Sequence, residues 1–180
     1  MNDPVHERNG VLELLKDAVS LLEQSADPRL IPPDGLALVY AIRNARDKDG
    51  VAAVKGRIVN DGGSVHAAGP CVFGADERGT QIVLTVMRFD PAARSAAIIS
   101  FLPATLTALE GMLLECCPVD RSREPVGISS MDWGVASCCK NGVPDVIFDR
   151  GRDGNDGRIF IFAEKPAVVA NNIIICSNRM

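Results

Sequence analysis

Histidine and aromatic side chains are scarce in this 180-residue chain: two histidines, one tryptophan, one tyrosine and six phenylalanines. With only His6 and His66, neither H-x-H nor H-E-x-x-H occurs, so a histidine-built metal site has no sequence support. A Ser/His/Asp arrangement also lacks a recognisable nucleophile motif, and His66 reads as a structural residue of a hairpin strand. Trp133 reads as a core residue early in a helix rather than a stacking platform. C-x-x-C is missing although there are six cysteines, at 71, 116, 117, 138, 139 and 176. Zinc binding by cysteine is therefore rejected, and the six read as buried thiols acting as small hydrophobes. No apolar run reaches the roughly 18 residues that cross a bilayer, so a membrane role is not expected. A surplus of positive charge is lacking too: 19 Lys+Arg against 23 Asp+Glu leave a net charge of −4. Such a chain has no field to attract a nucleic-acid backbone, though a local basic pocket stays open. G-x-G-x-x-G and the Walker A sequence are absent, which excludes the standard dinucleotide and P-loop sites. The opening MNDPVHERNG is polar and acidic, unlike a signal peptide, and a cytoplasmic protein is expected.

What is present is a globular composition. Hydrophobic residues make up 47% and charged residues 23% of the chain, with mean hydropathy at +0.11. That length and content fit one domain with a sizeable core. Residues 1–10 read as a polar tail and 11–180 as the domain. Apolar positions at 11, 14/15, 18 and 21/22 predict an amphipathic helix over 11–24. Strands are expected at 36–42, at 57–60 and 64–68 around Asp61-Gly62-Gly63, at 81–89, at 95–100, within 112–120, at 144–151 and at 158–163. Residues 47–54 read as a turn or short helical connection. Helices are expected from Pro103 to about Glu110, from an Asp132 cap to Cys139, and from Pro166 onward. Strand spacings too short for a helical crossover force antiparallel pairing, so the fold class is α/β with a mixed sheet.

Charged residues cluster after the apolar strands. Asn44 and Arg46 follow the strand at 36–42, and Arg57 follows Gly56. Asp120, Arg121 and Glu124 follow MLLECCPV, and Asp149 and Arg150 follow PDVIF. Ligands of α/β folds collect beyond strand ends, and arginine is the planar donor suited to phosphate oxygens. Surface salt bridging is the competing reading of each segment, because each also carries a carboxylate. Taken as a set, the segments point to an anionic, phosphorylated small ligand. Gly69, Gly74 and Gly79 bound a short apolar strand, letting backbone amides approach such a ligand.

These blocks, in this order, resemble the ThiN-type thiamine-phosphate synthase domain, which in archaea is usually fused behind a hydroxymethylpyrimidine phosphate kinase. The carriers are VYAIRNARDKDGVAAVKGRI, AAGPCVFGA, LTVMRFDPAARSA, DRSREP, MDWGV and GVPDVIFDRG, spread over nearly the whole chain. The resemblance implies a three-layer α/β/α sandwich with a mixed, largely antiparallel sheet, similar to class II aldolases without their metal histidines. It also implies a transferase that joins hydroxymethylpyrimidine diphosphate to thiazole phosphate and releases diphosphate. Arg57 and Arg78 are then the candidate catalytic residues. Asn44, Arg46, Gly74, Asp120, Arg121, Glu124, Asp149 and Arg150 are the candidate substrate-binding set. No metal is expected on protein ligands; Mg²⁺ would enter with the diphosphate. A homo-oligomer is left open. The glycine segment of the family reads F-G-A-S-x-H-x-A-R, whereas Asp76, Arg78 and Gln81 stand here at its serine, histidine and arginine positions. Arg78 can hold phosphate but cannot shuttle a proton at neutral pH. A catalytically weakened thiamine-phosphate-binding module with a regulatory role is therefore the alternative.

Overall fold

The computed structural model describes residues 3–120, 132–151 and 157–180. Its centre is a seven-stranded sheet in the order β5-β2-β1-β6-β9-β8-β7. The strands are β1 (Ala37–Ala41), β2 (Val51–Val54), β5 (Cys71–Phe73), β6 (Ser95–Ser100), β7 (Cys116–Pro118), β8 (Val146–Asp149) and β9 (Arg158–Ala163). Only β7 and β8 run parallel; every other pairing in that sheet is antiparallel. The remaining two strands, β3 (Ile58–Asp61) and β4 (Ser64–Ala67), form the expected hairpin around Gly62-Gly63, with His66 opposite Val59.

Strand alternation sorts the side chains onto two faces. Leu36, Leu38 and Tyr40 pack under α1 (Pro4–Ser25), α3 (Pro103–Gly111) and α5 (Pro166–Arg179). Ala37, Val39 and Ala41 pack under α2 (Glu77–Met87) and α4 (Trp133–Ser137). The result is an α/β/α sandwich with a mixed, mostly antiparallel sheet, as the sequence implied.

Four expectations are corrected. Residues 81–89 are not a central strand: most of them belong to α2. Their β-branched side chains favour strands in isolation, but Ile82, Val83, Val86 and Met87 are buried at helical spacing against the sheet. Asp76 starts the helix, its Oδ1 accepting the Gly79 amide at 2.8 Å. Residues 51–54 are strand β2, preceded only by a short 3-10 turn at Lys48–Gly50. The first helix begins at Pro4 under an Asp3 cap, so residues 4–10 are helical rather than a tail. Finally, not all cysteines are free thiols: Cys117 and Cys138 form a disulfide linking β7 to the end of α4. Cys71, Cys139 and Cys176 are buried thiols as expected, and Cys116 is half-buried.

Candidate functional site

Antiparallel strands send successive loops to opposite ends of a sheet, and this divides the predicted residues. The register Ala41↔Val51 and Val39↔Ala53 puts Asn44 and Arg46 beyond one end and Arg57 beyond the other. The pairings Ala37↔Ile98, Ser100↔Arg158 and Asp149↔Arg158 bring Asp149, Arg150 and Arg158 to the Arg57 end.

Arg57 is anchored through both its main chain and its side chain. Its backbone is left-handed, with φ at 67°, a conformation that costs a non-glycine residue about 1 kcal/mol or more. Two main-chain bonds hold it there: Arg57 N donates to Val54 O at 3.0 Å, and Ala68 N donates to Arg57 O at 2.9 Å. The turn also depends on Gly35, whose φ is 93°; a Cβ there would lie 2.7 Å from the Arg57 Cβ. The guanidinium is thereby aimed at Asp76. Its Nε and Nη2 donate to the two carboxylate oxygens at 3.0 and 3.2 Å. Asp76, 4% exposed, thus caps α2 with one oxygen and fixes Arg57 with both. Its charge is spent inside the fold, on the Arg57 guanidinium and the Gly79 amide. Helix α2 comes close enough for this because residue 79 is glycine: a Cβ there would be 2.6 Å from a Val39 methyl carbon.

The outer edge of Arg57 meets a different carboxylate. Nη1 donates to Asp34 Oδ2 at 3.0 Å, and the other Asp34 oxygen lies 3.5 Å from Arg158 Nη2. The Asp34 side chain is 63% exposed, so it bridges two arginines from the solvent side. Beside them, Arg78 pairs with Asp132 Oδ2, donates to Gln81 Oε1 at 3.3 Å and lies 5.9 Å from the Phe160 ring. Asp132 Oδ1 meanwhile caps α4 through the Val135 amide. A cleft of about 560 Å³ opens over Asp34, Arg57, Asp76, Arg78 and Gln81.

Arg57 and Arg78 are therefore brought together. Asn44 and Arg46 line an adjoining hollow of about 490 Å³ with Arg88, and the two spaces share Gln81. Asp120, Asp149 and Arg150 line a separate hollow of about 260 Å³, with Arg150 5.2 Å from the Phe148 ring. Gly74 does not line the Arg57 cleft; its left-handed turn, at φ 78°, lies against Lys48 and Asp49. Arg121 and Glu124 lie outside the described residues. Sequence reasoning missed Asp34 and Arg158. Asp34 lies between the predicted helix over 11–24 and the predicted strand at 36–42, and Arg158 was legible only as the head of a strand. Among the described residues no group of three or more His, Cys, Asp and Glu gathers to hold a metal ion.

These features define the class: an α/β/α sandwich with a mixed, mostly antiparallel sheet that gathers Arg57, Arg78 and Arg46 around two adjoining clefts. Residues 14–175 match the thiamine-phosphate synthase ThiN family, and the chain belongs to it. A bifunctional thiamine biosynthesis protein ThiDN of Methanocaldococcus jannaschii is 30% identical over 91% of the chain, which spans 39% of that relative's length. A thiamine-phosphate synthase ThiN of Methanothermobacter thermautotrophicus is 28% identical over 88% of both chains. Among solved structures, the C-terminal domain of a phosphomethylpyrimidine kinase is 32% identical with a TM-score of 0.85, covering 94% of this chain and all of that one. The C-terminal domain of a second protein reaches a TM-score of 0.86 at 28% identity, over 95% of each chain.

Proposed function

We propose that this chain is a thiamine-phosphate synthase, joining hydroxymethylpyrimidine diphosphate to thiazole phosphate with release of diphosphate. The observation that carries the reading is the Asp34 carboxylate bridging Arg57 and Arg158: an exposed anion occupies the position between two anchored guanidinium groups. The diphosphate takes that position. Asp34 swings away into solvent at little cost, because an exposed pair contributes about 0–1 kcal/mol, while Asp76 keeps Arg57 aimed.

In the reaction the pyrimidinylmethyl C–O bond breaks and its electron pair leaves with the diphosphate. The thiazole ring nitrogen then supplies the pair for the new C–N bond. Nothing is oxidised or reduced, and no protein nucleophile is needed. Arg57, Arg158 and Arg78 stabilise the leaving charge, and their fixed positions spare the reorganisation that water would require. Any Mg²⁺ arrives bound to the diphosphate as part of the substrate. Arg46 and Arg88 in the adjoining hollow supply cations for the thiazole phosphate.

Arg78 at the family's histidine position favours a second reading, in which the clefts bind thiamine phosphate without making it. Incubation of the purified chain with both precursors and Mg²⁺ separates the two: product formation supports the synthase, and binding without product supports the module.

A further inference from the structure

Arg78 lines the same cleft as Arg57 but starts from a weaker position. It sits in the first turn of α2, and 46% of its side chain is exposed. A long exposed cation at a helix N-terminus gains nothing from the helix dipole and has many rotamers open to it. What restrains it is Asp132, from the MDWGV block, whose side chain is only 13% exposed. Asp132 Oδ2 accepts from Arg78 Nη1, while Oδ1 accepts the Val135 amide at 3.0 Å and so caps α4. Gln81 Oε1 accepts from the same Nη1 at 3.3 Å. Among the described residues both bonds leave from Nη1, so Nε and Nη2 are left to meet a ligand. The arrangement repeats the one behind Arg57, where Asp76 caps α2 with one oxygen and fixes an arginine of the cleft.

A carboxylate positions its partner only as firmly as it is itself held, and α4 is seated at both ends. The Asp132 amide donates to Thr85 Oγ1 at 3.4 Å. Thr85 is 3% exposed and lies two turns beyond Arg78 on the same face of α2. Gly134 lets α4 lie close against Val119: a Cβ there would be 3.0 Å from a Val119 methyl carbon. At the far end, the Cys117–Cys138 disulfide ties α4 to β7.

We propose that Asp132 is a positioning residue of the reaction: it aims Arg78 at the departing diphosphate, as Asp76 aims Arg57. The inference rests on the synthase reading above. Asp132 does not touch substrate; its effect on rate passes through Arg78. Donors already in place stabilise developing charge without reorganisation, and a small misplacement slows the step strongly. Ground-state binding depends on Asp132 less. Arg57 and Arg158 hold the same diphosphate, and loss of the Asp132 charge favours an anion.

Asp132→Asn is the informative variant: its amide oxygen still caps α4, but its NH₂ group cannot accept from a guanidinium. The test is steady-state kinetics with hydroxymethylpyrimidine diphosphate, thiazole phosphate and Mg²⁺ on wild type, Asp132→Asn, Arg78→Met and the double variant. In Asp132→Asn, kcat should fall about tenfold while KM for the diphosphate substrate stays within about threefold. In the Arg78→Met background the same substitution should change kcat by less than about twofold. The urea midpoint of Asp132→Asn should match that of wild type. A kcat within about twofold of wild type in Asp132→Asn overturns the inference and leaves the synthase reading standing. So does an equal fall in both backgrounds, which marks Asp132 as a structural cap alone. A wild-type chain that makes no product overturns the synthase reading and this inference with it.

Discussion

At the residue scale, Arg57 and Asp34 make opposite predictions from one contact. Arg57 is held from behind by the buried Asp76 and from the front by the exposed Asp34. Removing the front carboxylate frees donors without disturbing the anchor. Asp34→Asn should therefore tighten inorganic diphosphate binding by about threefold, the scale of an exposed ion pair. Arg57→Met should weaken it by about tenfold or more, since a charge-assisted contact is worth about 1.5–3 kcal/mol. Calorimetric titration at fixed ionic strength reads both, because salt screens exposed charges. Weaker binding in Asp34→Asn would contradict the idea that this carboxylate holds the anion's place.

At the element scale, α2 joins the fold to the site through one residue. Asp76 both starts the helix and orients Arg57. Asp76→Ala should lose a cap worth about 0.5–2 kcal/mol and leave a half-buried guanidinium without its bidentate partner, about 2–4 kcal/mol in all. Asp76→Asn keeps the capping oxygen and should lose about half as much. Urea unfolding of the three proteins measures this, and an alanine variant within about 0.5 kcal/mol of wild type would contradict it. This same helix marks the limit of what the sequence made legible. The continuous apolar run at 36–42 revealed β1, the Gly62-Gly63 turn revealed the β3–β4 hairpin, and Pro103, Asp132 and Pro166 marked three helix starts. Val83, Thr85 and Val86 misled because β-branching is a weak local preference, and burial of one helical face against Ala37 and Val39 overrides it. The site was legible as a set of arginines but not as a set of pairs. Which carboxylate meets which arginine depends on sheet register, so Asp34 with Arg158 and Arg78 with Asp132 became visible only in three dimensions. The same holds for Cys117–Cys138, 21 residues apart in sequence.

At the scale of the whole molecule, the sandwich buries titratable thiols on both faces of its sheet. Burial pushes the Cys139 and Cys176 thiols up from the ordinary 9.0 to about 11. Cys116 reaches about 11 through burial, reinforced by Glu110, Asp145 and Glu115. A raised folded value means the unfolded chain releases these protons first. Stability is therefore full below about pH 9 and falls as pH rises through 9 to 11, by up to about 1.4 kcal/mol per unit for each fully buried thiol. Denaturation at intervals over that range should show the decline, and Cys139→Ala should flatten its slope. The central claim concerns function: this member of the ThiN family, with arginine at residue 78, joins hydroxymethylpyrimidine diphosphate to thiazole phosphate. Purified protein with hydroxymethylpyrimidine diphosphate, thiazole phosphate and Mg²⁺ should form thiamine phosphate, read as thiochrome fluorescence. Activity should fall more than about tenfold in Arg57→Met. A blank with the wild-type chain, alongside measurable thiamine phosphate binding, would contradict the claim and leave a binding module.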